Sequence, residues 1–360
     1  MPSCRTGNEI GEGGEKLASI HSTESLAKYL GLSRWTVSRV LNGHGGVSDK
    51  TIERVHRAMK DSGFEPNHYA RSLRGGSTRT IGICIQEVES PSLSRKAGEL
   101  QRLFRESEYR CLLELTNRNH LLEEQVLRHF LKLKVDGIVG IGTCLSPESD
   151  LITEIETAGV PVVLVDPETK LPFPVVEVDR AGATGSILEL LWQAGHRSFG
   201  FAGFDPDYTY SADRIKGANK FLSTRSLKPL WMYFESGTVR HDFHYGARLG
   251  DEICDKCSLP DAILAVNDRV AMGLIASLRR NGTSVPKDVA VVGHDNIESS
   301  SYFEPSLTTV DQQIELLMKA AQQSLIDFLK TGKKPPARIT IPTVLQSRES
   351  HAEMNPPSSR

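Results

Sequence analysis

The sequence contains no long apolar run. No segment of its 360 residues approaches the roughly 18 consecutive apolar residues that a membrane-spanning helix needs. Its first 20 residues are rich in Gly and Glu and lack the apolar stretch of a secretory signal. We therefore expect a cytoplasmic protein without a membrane span.

The sequence also lacks the residue groupings that would carry catalysis. There is no Walker-type phosphate loop, no nucleophile elbow and no Gly-x-Gly-x-x-Gly opening a βαβ unit. His241-x-x-His244 and Cys254-x-x-Cys257 resemble the two halves of a zinc site. A predicted helix separates them by about 15 Å, however, so they should not converge on one ion. We expect no enzyme activity, no metal and no cofactor.

The six cysteines are scattered rather than paired in a recognisable framework, and most of them lie in apolar runs. This usage predicts free thiols in a reducing compartment. The residues are Cys4, Cys84, Cys111, Cys144, Cys254 and Cys257.

Charge is distributed unevenly along the chain. The formal net charge is −2, yet residues 22–79 hold ten Lys and Arg against five Asp and Glu. A basic segment attached to an acidic remainder is typical of a protein in which the basic part alone binds nucleic acid.

Residues 22–42 predict two short helices that meet at a glycine turn. Leu26, Ala27 and Leu30 share one face of the first helix, and Gly31 ends it. The second helix buries an apolar stripe (Val37, Val40 and Leu41) and presents polar groups on its other face, as a DNA-binding helix-turn-helix does. An ordinary helical hairpin with a solvated face is the alternative. The polar face carries Arg34, Trp35, Ser38, Arg39 and Asn42.

Two further helices are predicted after this pair. Ser48 caps a third helix, in which Ile52, Val55 and Met59 share one face. A short helix then lies between Pro66 and Gly75-Gly76, and its two turns are too few to be stable alone in water.

From Thr80 onward, apolar runs alternate with amphipathic helices, as in parallel sheets that are buried on both faces. Two similar α/β lobes account for the number of strands, with ligands expected at the carboxyl ends of the strands. The predicted strands are Ile81–Ile85, Cys111–Leu115, Gly137–Ile141, Val160–Val165, Phe199–Ala202, Ala262–Val266 and Val289–Val292.

These motifs resemble the LacI family of bacterial transcription regulators in order and spacing. The headpiece motifs are Thr-Val-Ser-Arg-Val-Leu-Asn-Gly (36–43), Val-Ser-Asp-Lys-Thr (47–51) and Pro-Asn-His-Tyr-Ala-Arg-Ser-Leu (66–73). Asn267-Asp268 and Val291–Asp295 resemble landmarks of the family's body. The resemblance covers residues 22–347 and implies a small all-α helix-turn-helix headpiece, followed by an α/β body of two Rossmann-like lobes of the type I periplasmic-binding-protein kind.

The resemblance also implies domain boundaries. The chain should return to the first lobe near Leu307 and leave it near Arg338. The expected divisions are a disordered tail at 1–21, the helix-turn-helix domain at 22–66, a hinge helix and linker at 67–79, an effector-binding and dimerisation domain at 80–347 (lobe one at about 80–177 and 309–336, lobe two at about 178–308 and 337–347), and a flexible tail at 348–360.

For DNA, the family resemblance implies that Arg34, Trp35 and Arg39 lie at base edges of a palindromic operator, bound by a homodimer, with a tetramer as the alternative. Trp35 could instead pack on the first helix. Leu73 matches the leucine with which paired hinge helices enter the minor groove. The positions expected to face phosphates are Ser33, Ser38, Asn42, Ser48, Thr51 and Asn67.

For the effector, the resemblance places Asp166, Arg214, Asn267 and Asp295 around a small polyol or purine-type molecule between the lobes, with a sugar or sugar derivative favoured. Arg214 could instead be a surface residue, and Asp268 is expected to cap the following helix.

The sequence departs from the family where Pro91-Ser92-Leu93 replaces a proline followed by aromatics. His294 and Asn296 also replace an aromatic and a second aspartate beside Asp295. The alternative to a regulator is a cytoplasmic solute-binding protein or sensor without operator-specific binding.

We expect Leu73→Ala to weaken binding to the operator far more than binding to a random duplex. The reason is that the Leu73 side chain should contribute to binding only where the paired hinge helices bend a specific site. Titrations of both duplexes at one fixed salt concentration check this, and an equal loss on both would contradict it.

Overall fold

In the computed structural model, the described residues are 20–41, 45–64, 77–237 and 241–351. The chain forms two compact units that divide between Thr78 and Arg79. None of the helices in these ranges is long and apolar enough to cross a membrane. Three predicted DNA-contacting residues, Asn42, Asn67 and Leu73, lie outside the described residues, as does nearly all of the predicted N-terminal tail.

The first unit contains helices α1 (Thr23–Leu30), α2 (Arg34–Leu41) and α3 (Asp49–Ser62). Gly31 ends α1 with a φ of 62°, a backbone conformation that costs glycine little. The predicted apolar faces of all three helices pack into one cluster, so the prediction of a helix-turn-helix followed by a third helix is confirmed. Its buried members are Ile20, Leu26, Ala27, Val37, Val40, Val55, Ala58 and Phe64.

The second unit begins with a six-stranded, wholly parallel sheet in the order β11-β5-β4-β3-β1-β2. Its central strands are almost entirely apolar because helices cover both faces. The strands are β1 (Thr80–Ile85), β2 (Arg110–Leu115), β3 (Gly137–Ile141), β4 (Val162–Val165), β5 (Val175–Val178) and β11 (Arg338–Ile341). The helices of this lobe are α4 (Pro91–Glu106), α5 (His120–Lys132), α6 (Leu151–Ala158) and α11 (Ile314–Thr331).

A second parallel sheet, in the order β7-β6-β8-β9, forms the other lobe. The helix predicted between His244 and Cys254 is present as part of α9. The strands are β6 (Phe199–Ala202), β7 (Trp231–Tyr233), β8 (Ala262–Ala265) and β9 (Ala290–Val292), and the helices are α7 (Arg180–Gln193), α8 (Thr209–Ser223), α9 (Phe243–Lys256) and α10 (Asp268–Arg280). The prediction of two parallel α/β lobes is confirmed, and each of the seven predicted apolar runs contains a strand.

The chain crosses between the lobes at different points from those expected. Strand β10 (Thr309–Asp311) lies beside the second sheet, through bridges from Thr308 to Val292 and from Asp311 to Asp295. It pairs with β12 (Val344–Gln346), and the return to the first lobe begins with α11. Strand β11 pairs with β5, so the expected departure near Arg338 is wrong and the chain leaves this sheet after Ile341.

The expected start of a flexible tail at residue 348 is also wrong. Residues Glu349–His351 form a short 3₁₀ helix. Ser350 is fully buried and donates a hydrogen bond to the carbonyl oxygen of Val291 at 2.6 Å. The guanidinium of Arg348 donates to the carbonyl oxygen of Leu307 at 2.7 Å. These bonds fix residues 348–351 to the second lobe.

Helices α7 and α8 pack closely, and this contact positions the residues of α8 that face the cleft described below. A Cβ atom on Gly217 of α8 would lie 2.2 Å from the carbonyl oxygen of Ala181 in α7. That carbonyl belongs to the backbone and cannot rotate away, so only glycine allows this approach.

We expect Gly217→Ala to lower the free energy of unfolding by about 1–3 kcal/mol, because overpacking must separate the two helices. Gly185→Ala on α7 is the matched control. Its Cβ would meet nothing within 4 Å, and alanine favours a helix by about 0.5–1 kcal/mol over glycine. Urea unfolding of both variants measures the difference, and equal effects would contradict the close approach.

Candidate functional site

The exposed face of α2 carries the side chains predicted to read DNA bases. Arg34 is exposed, and Trp35 is 64% exposed, so the alternative in which Trp35 packs on the first helix is wrong. The guanidinium carbon of Arg39 lies 4.8 Å from the centre of the Trp35 ring, and the same guanidinium donates to the carbonyl oxygen of Gly45. A planar cation and a flat ring therefore form one continuous surface on this helix.

The hydroxyl groups at the starts of α2 and α3 act first as helix caps. Ser33 Oγ accepts a hydrogen bond from the Thr36 amide at 3.0 Å. Ser48 Oγ accepts one from the Thr51 amide at 3.4 Å and lies 2.9 Å from Thr51 Oγ1. Ser38 is half-buried on α2. Contacts of these residues with phosphates stay a prediction.

A polar cleft of about 110 Å³ lies between the lobes of the second unit, at the carboxyl ends of both sheets. All four predicted effector residues line it: Asp166 after β4, Arg214 on α8, Asn267 after β8 and Asp295 after β9. This is where ligands bind in parallel α/β sheets, because the loops that follow neighbouring strands meet there.

Asp166 forms the centre of a buried charge cluster. It accepts hydrogen bonds from Lys96 Nζ of α4 at 2.7 Å and from Arg180 Nη1 of α7 at 2.8 Å. Burial acts to raise the pKa of Asp166, but Arg180 and Lys96 outweigh it and hold the pKa well below its usual range. The carboxylate therefore stays ionised while it joins α4 to α7.

Arg214 is only 5% exposed, so the alternative of a surface residue is wrong. It donates to the carbonyl oxygen of Tyr210 at 3.2 Å. Within the described ranges, no carboxylate forms an ion pair with it. Burial, together with the positive charge of Arg180, lowers the pKa of Arg214 to about 10. The structure therefore holds a desolvated cation at the wall of the cleft.

Asp295 is held in a strained backbone conformation, with a φ of 133°. Its carboxylate accepts a hydrogen bond from Gln312 Nε2 at 2.5 Å. Burial raises the pKa of Asp295, although Arg214 and Lys96 oppose this shift. Beside it, His294 is buried, whereas Asn296 donates to Asp311 at 2.9 Å and so does not line the cleft.

The expectation that Asp268 caps α10 is wrong, because Asn267 is the cap. Asn267 Oδ1 accepts from the Val270 amide at 2.8 Å, and its Nδ2 donates to the carbonyl oxygen of His241 at 3.0 Å. Asp268 is fully buried and bonds the Ile297 amide and the Thr309 hydroxyl. Burial, with the nearby charge of Asp295, raises the pKa of Asp268 to about 7.

Several residues that line the cleft were not predicted from the sequence. Arg118 pairs with Glu168 at 3.0 Å, and Tyr210 stacks on Tyr208 with ring centres 5.4 Å apart. Tyr210 supplies a ring in a cleft where Leu93 stands in place of the family's aromatic residue. The other overlooked members are Gln86, Glu87, Lys96, Arg180, His241, Arg269 and Gln312. No local pattern in the sequence distinguishes these residues from other polar residues of the body.

Comparison with known proteins agrees with both units. Residues 25–67 match the family of bacterial regulatory proteins, lacI family, and residues 188–351 match the periplasmic binding protein-like domain. The HTH-type transcriptional regulator RegA of Clostridium saccharobutylicum is 30% identical over 336 residues, which span 91% of this chain and 98% of RegA. The chain therefore belongs to the LacI family of DNA-binding transcription regulators.

Solved structures share the fold. A Lac repressor dimer bound to operator and the anti-inducer ONPF has a TM-score of 0.80 at 23% identity, and the match covers 91% of this chain and 98% of that one. The transcriptional regulator CelR in complex with cellobiose has a TM-score of 0.67 at 26% identity, with coverage of 91% and 99%. The helix-turn-helix unit and the two-lobed body thus follow one another as in these regulators.

We expect Asp166→Asn to lower the free energy of unfolding by about 3 kcal/mol, because it leaves two buried cations without a carboxylate. Urea unfolding at pH 7 measures this loss. The ionised carboxylate stabilises the fold above the unfolded-state pKa of about 4, so the difference from the natural protein should narrow as the pH falls below that value.

Glu235→Gln is the matched control for this prediction. Its ion pair with Arg248, at 2.9 Å, is more than half exposed on both sides, so its loss should cost less than about 1 kcal/mol. Equal losses from the two substitutions would show that Asp166 does not hold the cluster together.

Proposed function

We propose that this LacI-family regulator is a cytoplasmic repressor that binds a palindromic operator as a homodimer, with an operator affinity that a small molecule in the cleft modulates. The observation that supports the DNA-binding part of this proposal is that α2 is amphipathic. It buries Val37 and Val40 in the core of its unit and leaves Arg34 and Trp35 exposed. A helix of this kind can enter a major groove without unfolding anything.

Roles within the DNA surface follow from chemistry and exposure. Arg34 is suited to a bidentate contact with guanine, which discriminates by about 1–3 kcal/mol. Trp35 has no acceptor and would contact a thymine methyl or a sugar, while Arg39 would make a second base contact. Residues expected at phosphates orient the protein and do not specify sequence. They are Ser33, Ser38, Asn42, Ser48, Thr51 and Asn67, and Leu73 is assigned to the minor groove.

The cleft supports the effector part of the proposal. Asp166, Arg214, Asn267 and Asp295 all line it, and four such polar groups in one cleft suit a hydrophilic ligand. CelR, a related regulator, is described with cellobiose bound, which favours a sugar or sugar derivative. In this proposal, residues 22–66 bind DNA, residues 67–79 form the hinge, and the two-lobed body binds the effector and dimerises.

The alternative is a cytoplasmic sensor or carrier of a small solute without operator-specific binding. The exposed arginine and tryptophan on α2 favour the regulator, because a solute carrier needs no such helix. The relatives are named as regulators rather than enzymes, and we propose no catalytic activity for this chain.

Selection of bound sequences from a random duplex pool tests the DNA-binding function. The expected result is an enriched pseudo-palindrome, whose twofold symmetry matches that of a homodimer. A pool without an enriched motif would contradict the proposal in favour of the sensor.

We expect Arg34→Gln to weaken binding to the selected operator by about 1–3 kcal/mol and to relax base preference at one position of each half-site. Arg57→Gln, a like change at an exposed position on α3, is the control and should leave base preference unchanged. Titration against the operator and its single-base variants provides the measurement. Identical base preferences in both variants would remove Arg34 from base reading.

A further inference from the structure

The chemical class of the effector can be narrowed from the charges in the cleft, given the effector site proposed above. We propose that the ligand is a polyhydroxylated small molecule with an anionic group, either a carboxylate or a phosphate. Three features of the cleft carry this inference: the charge of its buried clusters, an arginine that forms no ion pair with any described carboxylate, and an excess of hydrogen-bond donors.

The first feature is the composition of the buried ion pairs. Lys96 and Arg180 share a single carboxylate, that of Asp166, so this cluster keeps one positive charge. All three side chains are less than 10% exposed. The neighbouring pair of Arg118 and Glu168 is neutral and does not offset this charge. A buried net charge is costly unless an opposite charge approaches it.

The second feature is Arg214, which adds another buried positive charge. Within the described ranges it has no ion pair, and it donates a hydrogen bond to a backbone carbonyl oxygen, that of Tyr210. Asp295, the carboxylate that the second lobe contributes to the cleft, accepts a hydrogen bond from the neutral amide of Gln312, and it forms no ion pair with Arg214 within the described ranges. Burial and the positive charge of Arg180 lower the pKa of Arg214, and the negative charges of Asp295 and Asp166, which act to raise it, do not offset that shift.

The third feature is the imbalance between donors and acceptors. The Nε atoms of Arg118, Arg180 and Arg214 are buried and find no acceptor in the described part of the chain. Gln312 Oε1 is the cleft-lining oxygen that lacks a donor there, and His241 Nε2 can act either way according to its tautomer. Hydroxyl groups bring donors along with acceptors, whereas carboxylates and phosphates bring acceptors alone. An anionic group therefore matches this excess of N–H donors better than hydroxyl groups do, because each hydroxyl also needs an acceptor for its own hydrogen.

The rest of the lining suits a hydroxylated frame. Gln86, Asn267 and Gln312 offer amide groups, Glu168 offers a carboxylate that can accept from hydroxyls, and Tyr210 offers a ring. Fixed polar groups of both kinds beside an aromatic ring are typical of sites that bind small polar ligands.

The test compares matched neutral and anionic probes on the full chain. D-Glucose and D-galactose are paired with D-glucuronate, D-galacturonate and D-glucose 6-phosphate, and binding is measured by thermal shift and by calorimetry. At least one anionic probe should raise the Tm and bind about tenfold or more tightly than its neutral parent, because charge-assisted hydrogen bonds are about twice as strong as neutral ones. Neutral parents that bind as tightly, or a complete failure of the anionic probes to bind, would overturn the inference.

Variants show whether the cleft is responsible for the preference. Arg214→Gln and Arg180→Gln should each reduce the anionic-to-neutral affinity ratio about tenfold, whereas Arg102→Gln, at an exposed position on α4, should leave the ratio unchanged. An unchanged ratio in both cleft variants would overturn the assignment to this cleft. If a cleft variant fails to fold, the comparison of probes on the natural chain still decides.

Operator titration with each probe separates this inference from the proposed function. A neutral sugar that binds and changes operator affinity would leave the effector-regulated function standing and refute the anionic class. If no probe of either kind changes operator affinity, effector regulation fails together with the inference.

Discussion

The arrangement of the cleft depends on one carboxylate that two buried cations share. Lys96 comes from α4 of the first lobe, Arg180 from the start of α7 in the second, and Asp166 from the end of β4 between them. Because burying a cation is costly without a negative partner, the shared carboxylate stabilises both cations, and this contact links the two lobes at the site where a ligand would bind. Both oxygens of Asp166, which the family resemblance assigns to the effector, are therefore already bonded to these cations. The lining of the cleft holds five Lys or Arg side chains against four Asp or Glu, so the proposed ligand would meet a small surplus of positive charge.

The helix-turn-helix unit depends on a simpler constraint. Each of its helices has one apolar face, and three such faces close a small core around Leu26, Val37 and Val55. Once those faces are buried, the remaining face of α2 must point outward, and that face carries Arg34, Trp35 and Arg39. The same pattern that folds the unit therefore also places the residues proposed to read DNA on its outer face.

Much of the fold could be predicted from the sequence, because periodicity and glycine turns are local signals. The short strands where the chain crosses between the lobes could not be predicted. Strands β10 and β12 have three residues each and β11 has four, which is too short to show a hydrophobic periodicity. This explains why the expected departure from the first lobe near Arg338 was wrong. Strand β11, which begins at Arg338, was assigned to the second lobe but pairs with β5 of the first. In the candidate site, residues directly after long apolar strands were predicted, as with Asp166 and Asp295.

Sequence alone determined the class of protein, the three-helix DNA unit, the two parallel lobes and four residues of the cleft, because each follows from patterns within a few consecutive residues or from a family resemblance. Only the tertiary structure decided how the charges combine. Lys96, Asp166 and Arg180 lie 70 and 14 positions apart, and no local pattern pairs them. Nor does any local pattern show that Arg214 is buried or that, in the described part of the chain, it forms no ion pair with a carboxylate. Desolvation and pairing depend on distances between separate elements, and the fold alone sets those distances.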